Sequence, residues 1–177
     1  HQFSQAQALL RVHVLLDALG RLRSAGKYPQ LAIVGEFWDD QAEYHAHIER
    51  LGLAGQVRIE DRYAPNEEIA VWFCAADCLA APYIAGTQSG ASSIALAYGL
   101  PIIASRQVAE GIAAENRGQL LAVVPPGDAD ALAEAIAAAM DAPLAGRSLP
   151  AERRAPGDDW QRLVQTILQA AGQTEAA

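Results

Sequence analysis

The chain has 177 residues, 51% of them apolar, and its 13 basic and 21 acidic residues leave a net charge of -8. That length suits one domain with a real hydrophobic core, and the apolar share argues against a disordered chain. The acidic balance argues against a nucleic-acid backbone or an anionic membrane surface as the main partner, but leaves room for a local site that takes one diphosphate.

No apolar run reaches the length of a membrane span, and no basic start precedes an apolar leader, so an integral membrane protein is not expected. Cys74 and Cys78 fit a reducing compartment, and the expected location is the cytoplasm. The chain opens on His1 rather than Met, as expected of a fragment or a processed product.

In chain order, helix and strand signals alternate. Ala6 to Leu22 carries helical spacing at Leu9, Val12, Leu15, Leu16 and Leu19, and "RSAGKYP" stops it. Leu31 to Val34 reads as a buried strand. Asp39 and Asp40 are placed to cap a helix through Leu51, closed by Gly52 and Gly55. Val57 to Glu60 reads as a strand, and a helix runs from about Asn66 to Ala75. Cys78 to Ala81 is the next strand, with a loop from Pro82 to Gln88 after it.

A helix from Ser89 to Tyr98 follows, stopped by Gly99; Ile102 to Ala104 and Leu120 to Val124 are further strands. Asp128 caps an alanine-rich helix, the polar stretch 141–157 reads as a linker, and a last helix spans Trp160 to Ala171. Short apolar strands alternating with helices predict an α/β fold, a parallel sheet covered on both faces.

The stretch "TQSGASS" (87–93) bears on function most directly. In open parallel sheets, ligands bind where a strand's carboxyl end turns into a helix. The first helical turn there offers unpaired N–H groups and a partial positive charge, which suit phosphate. Small residues let a ligand approach the backbone, and Thr87, Ser89, Ser92 and Ser93 add hydroxyl donors. A plain capped helix fits the same residues equally well.

Other chemistries fit less well. A hydrolase serine elbow needs G-x-S-x-G with a histidine after the serine, yet His1, His13, His45 and His47 all precede Ser89. His45 and His47, two apart on a helix, point to nearly opposite sides; a solvated helix face is expected rather than a metal site. Cys74 and Cys78 lack redox spacing and read as buried thiols. "VGEFWDD" has one glycine where a dinucleotide fingerprint has three.

Four stretches together carry a resemblance. "LAIVGE" is similar to a strand and glycine turn. "RYAPNEEIAVWFCAADCLAAPY" resembles a (F/Y)-V-P-x-E-E-(L/I) segment followed by A-A-D and an apolar strand. "ALAYGLPIIAS" resembles E-A-(M/L)-A-x-G-x-P-(V/I)-(V/I)-A-(S/T), and "VVPPGDADALAEAI" follows V-P-P-G-D-x-x-A-L-A-x-A-I. In this order, over roughly residues 10 to 171, they resemble the C-terminal, donor-binding half of a retaining GT-B glycosyltransferase of the family 4 type.

The resemblance implies a single Rossmann-like domain over 1–177 that binds a nucleotide sugar, with an N-terminal acceptor domain lying outside the chain. It implies transfer of a sugar from a nucleoside diphosphate sugar, with no obligatory metal or other cofactor. The donor contacts it implies are Gly35 in the glycine turn and Thr87, Gln88, Ser89, Gly90 and Ala91 at the diphosphate. Tyr63, with Ala64 and Pro65, would lie near the base.

Departures are plain. The family's paired glutamates fall on Gly86 and Ile94; the second normally accepts from the ribose hydroxyls, an anchor of about 1.5–3 kcal/mol when charge-assisted. The family's basic pair falls on Gln5 and Leu10, leaving Arg11 as a substitute one residue away. Its first strand falls mostly before His1. Its G-G-x-x-E stretch is blurred into "RQVAEGIAAE", with Glu110 as the acidic residue. The competing expectation is a non-catalytic module that keeps the transferase fold for binding or protein contacts.

Overall fold

A computed structural model describes residues 12–36, 41–84 and 89–142; of Asn66 and Glu67 only the backbone is described. The expected linker beyond Ala142, the last helix at Trp160, the caps Asp39 and Asp40, and Gln5, Leu10, Arg11, Gly86, Thr87 and Gln88 lie outside the described residues.

The order is α1 (Val12–Ser24), β1 (Leu31–Val34), α2 (Gln41–Arg50), β2 (Val57–Glu60), α3 (Asn66–Ala75), β3 (Leu79–Ala81), α4 (Gly90–Ala97), β4 (Ile102–Ser105), α5 (Arg106–Glu110), a 3-10 turn (Ala114–Gln119), β5 (Leu120–Val124) and α6 (Ala129–Asp141). All strand pairs are parallel, as expected of apolar strands joined by helices. Among the described residues the strands form two hydrogen-bonded sets, β1–β2 and β3–β4–β5.

One helix ties the two sets together. Leu15, Ala18 and Leu22 of α1 share a core with Ile103, Val124, Leu132, Ala133 and Ile136. Val12, Leu16 and Leu19, on an adjoining stripe of the same helix, pack with Tyr44, Ile48 and Leu53. Leu31 of β1 touches both clusters. The apolar stripe is therefore wide enough to span both sets, as the 3.6-residue spacing of leucines dictates.

Side chains alternate across β4. Ile103 faces the α1 and α6 side, while Ile102 and Ala104 join Ala81, Ala95, Leu100, Val108 and Ile112 under α4 and α5. All four β4 residues are buried, which explains why the strand reads as a continuous apolar run. The expected covering of both faces holds for this set.

Helix ends follow their residues. Gly52 at φ +69 and Gly99 at φ +64 adopt the left-handed conformation that ends α2 and α4. Leu53 N–H then bonds to Ile48 carbonyl at 2.8 Å and Leu100 N–H to Ala95 carbonyl at 2.8 Å, satisfying the last carbonyls of each helix. Gly55, expected to share the first stop, lies beyond it. Two elements were not expected: α5 and the 3-10 turn occupy a stretch to which the sequence reading assigned no element.

Candidate functional site

Each helix that follows a strand in a parallel set begins at the strands' carboxyl ends, because the chain must run back antiparallel. For α4 the strand is β3, and the first described residue before the helix is Ser89. Ser89 is the N-cap, with extended φ -131 and ψ 121, and its Oγ accepts the Ser92 N–H at 3.2 Å. The N–H groups of Gly90 and Ala91, in the first turn, have no carbonyl within the helix to bond. No acidic residue occupies that turn, so the positive end of the helix dipole stays uncompensated by its own side chains.

Of the four hydroxyls expected as donors, Ser89 and Ser93 bond within the helix start, and Thr87 lies outside the described residues. Ser89 Oγ, 7% exposed, donates to Tyr83 Oη at 3.3 Å, and Ser93 Oγ donates to the Ser89 carbonyl at 3.3 Å. Both are engaged in holding the helix start, so neither is free to serve as an added donor. Ser92 Oγ is buried with no hydrogen-bond partner among the described residues. What the helix opening presents is backbone, chiefly at exposed Gly90, where an added Cβ would meet nothing within 4 Å.

An open cleft of about 370 Å³ lies against this turn. Ser89, Gly90, Ser92, Ser93 and Leu96 of α4 form one wall, and Val108, Gly111 and Ile112 form the other. The first wall is polar at the helix start and the second is apolar. Its size suits a diphosphate or one sugar ring, and lies at the small end of ligand pockets.

Gly35, Tyr63 and Glu110 are not among the residues that line this cleft. Gly35 ends β1 at φ +148, and its N–H bonds to the Glu60 carbonyl at 3.1 Å. Tyr63, 69% exposed, stands in the β2–α3 loop beside buried Ala64. Glu110 is the exposed last residue of α5, next to the cleft residue Gly111. The apolar wall escaped the sequence reading, because Val108 lies in an element too short to show a period and Ile112 lies just beyond its end.

Between β2 and α3 a charged network borders Tyr63. Arg62 pairs with Glu68 and, at 3.3 Å, with Glu60; Arg58 pairs with Glu60 at 2.5 Å and sits over the Trp72 ring at 5.3 Å. Hydrogen bonding from Arg58 holds the Glu60 carboxyl below its usual range, and hydrogen bonding from Arg62 does the same for Glu68. Their guanidinium partners are thus already matched by carboxylates. Among the described residues no group of three or more His, Cys, Asp or Glu side chains could hold a metal ion. None of the helices among those residues is long and apolar enough to cross a membrane.

His47 corrects an expectation. His45 is exposed as expected, but His47 is buried against α1, where it meets Asp17 and His13. Cys74 is exposed and Cys78 half-buried, so the expectation of two buried thiols fails for Cys74.

The family described as Glycosyl transferases group 1 matches residues 6–142. No curated protein sequence matches the chain. Among solved structures, sucrose-phosphate synthase from Thermosynechococcus elongatus superposes with a TM-score of 0.66 at 22% identity, over 96% of this chain and 43% of that one. Anabaena HepE, solved in complex with UDP and glucose, superposes with a TM-score of 0.63 at 21% identity, over 96% and 46%. The chain thus has the Rossmann-like fold found within GT-B glycosyltransferases and spans less than half the length of either protein.

Proposed function

Because the chain belongs to the group 1 glycosyl transferases, we propose that it is the C-terminal, donor-binding half of a retaining enzyme that moves a sugar from a nucleoside diphosphate sugar to an acceptor. The observation that carries this reading is the opening of α4: an uncharged first turn at the carboxyl end of a parallel strand, facing an open cleft. The diphosphate lies along residues 87–91, against the N–H groups of Gly90 and Ala91. The base lies toward Tyr63 and the sugar toward the cleft. HepE, of similar fold, was solved with UDP and glucose, which supports a nucleotide sugar as the ligand.

The leaving diphosphate is stabilised by fixed dipoles aimed at developing charge, work that needs no metal. The acceptor and any base belong to a preceding domain, so this half alone transfers no sugar. Ile94, on α4 where the family has its ribose-binding glutamate, favours the second reading: a non-catalytic module that keeps the fold for binding or protein contacts.

Titration calorimetry with UDP and GDP, with and without EDTA, tests the proposal. The expected result is nucleoside diphosphate binding that survives chelation. Absence of binding to either nucleotide would favour the module, and binding that vanishes with EDTA would contradict the metal-free site.

A further inference from the structure

Three serines line the cleft, and the fold uses the hydroxyls of two. Ser89 Oγ caps the helix and bonds to Tyr83, and Ser93 Oγ bonds to the Ser89 carbonyl. Ser92 also lines the cleft and is 4% exposed, yet its Oγ is shielded from solvent with no partner among the described residues. A buried hydroxyl in that state is destabilising, because it gives up its bonds to water and gains none. Alanine at this place would remove the cost and form helix better; the other buried residue of α4 is indeed an alanine, Ala95. Native folds leave few such groups, and a role in binding is one reason to keep one.

The cleft offers two kinds of surface to a ligand, and no residue lining it is charged. The free N–H groups of the first helical turn only donate, which suits phosphate oxygens. The Ser92 hydroxyl both donates and accepts, which matches a sugar hydroxyl. On the other wall, Val108 and Ile112 present apolar surface, the complement of the C–H face of a pyranose ring. A carboxylate on the sugar finds no cation among the lining residues, and exposed Glu110 adjoins lining Gly111; like charge there is unfavourable.

Resting on the donor-binding reading above, we propose that Ser92 recognises the sugar: its Oγ hydrogen-bonds a hydroxyl of a neutral pyranose whose C–H face packs on Val108 and Ile112. Ser92 meets that hydroxyl by rotation about its Cα–Cβ bond, a change between staggered positions that leaves the helix where it is. The bound sugar thereby supplies the partner that the fold withholds.

The test is titration calorimetry of the full chain and its Ser92→Ala variant. The ligands are UDP with its glucose, N-acetylglucosamine and glucuronic acid conjugates, and GDP with its mannose and mannuronic acid conjugates. The wild type should bind a neutral conjugate more tightly than the bare nucleotide and than the acidic conjugate of the same nucleotide. In Ser92→Ala that neutral conjugate should lose about fivefold in affinity, the size of one neutral hydrogen bond. The bare nucleotide should be unaffected and the melting temperature equal or higher. Unchanged affinity for the neutral conjugate overturns the proposal, and so does an equal loss for conjugate and bare nucleotide. A lower melting temperature with unchanged affinities means that Ser92 Oγ serves the helix instead, bonding back to the carbonyl four residues earlier. Nucleotide binding with no gain from a neutral sugar, or with the acidic conjugate preferred, overturns this proposal alone. Binding of no nucleotide at all overturns the donor-binding reading, and this proposal with it.

Discussion

Two helices of this molecule begin in the same way and end up electrostatically opposite. At α6, Asp128 Oδ1 accepts the Ala131 N–H at 2.9 Å; at α4, Ser89 Oγ accepts the Ser92 N–H at 3.2 Å. Both caps satisfy one orphan donor three residues along. Yet α6 brings two carboxylates to its start, Asp128 and Asp130, the latter paired with Arg21 of α1. The start of α4 brings none.

The difference teaches what each helix is for. The α6 opening is finished by its own charges and anchored to α1, and its buried face of Ala129, Leu132, Ala133 and Ile136 completes the core. The α4 opening keeps its positive end exposed to a cleft, with capping done by a neutral hydroxyl. A helix that only needs to be stable gains from a carboxylate at its start, by about 0.3–1 kcal/mol at the surface. A helix without one leaves that attraction to whatever anion comes to the cleft.

The contrast can be broken at several points, beginning with the core. Leu132, fully buried on α6, should cost about 2–5 kcal/mol when changed to alanine, since a cavity adds to the lost transfer energy. Chemical denaturation measures it, and nucleoside diphosphate affinity of the folded variant should be unchanged. A matching loss of ligand affinity would mean that α6 is part of the site. Next is the cap: Asp128→Ala should cost about 1 kcal/mol, read as a lower melting temperature with unchanged binding.

The smallest effect concerns Glu60 and Glu68, whose carboxyls are held below the usual range by Arg58 and Arg62 respectively. Their folded-state pKa values are lowered, so their stabilisation is present above the unfolded value and is lost as pH falls through the folded one. Melting curves from pH 6 to pH 3 should show a slightly steeper acid loss for the wild type than for Glu68→Gln. Both carboxylates are at the surface, where solvent screens such pairs.

Much of this was legible beforehand, for physical reasons that particular residues make clear. The strands at 31–34 and 120–124 were apolar runs between stop signals, the strand at 57–60 alternates apolar and charged residues, and Ser89, Asp128, Gly52 and Gly99 are residues that end helices by local chemistry alone. The cleft's second wall was not legible, because α5 is too short for a hydrophobic period. The role of His47 was not legible either: its partners lie 30 and 34 residues away, and no local pattern encodes a contact between two helices. The serine hydroxyls were legible as polar groups, but which atoms they would bond depended on the cap geometry.

The most direct test converts the α4 opening into the α6 kind. Ser89→Asp keeps a strong capping residue, so the fold should survive with equal or higher melting temperature. The new carboxylate sits against Gly90 and Ala91, where the account places the diphosphate. UDP and GDP affinity, measured by titration calorimetry on the folded variant, should fall by about tenfold or more, a change that 1.4 kcal/mol of repulsion supplies. Uridine, lacking phosphates, should be affected less. Unchanged diphosphate affinity in a folded Ser89→Asp protein would contradict the account, since it would mean that this helix does not face the donor.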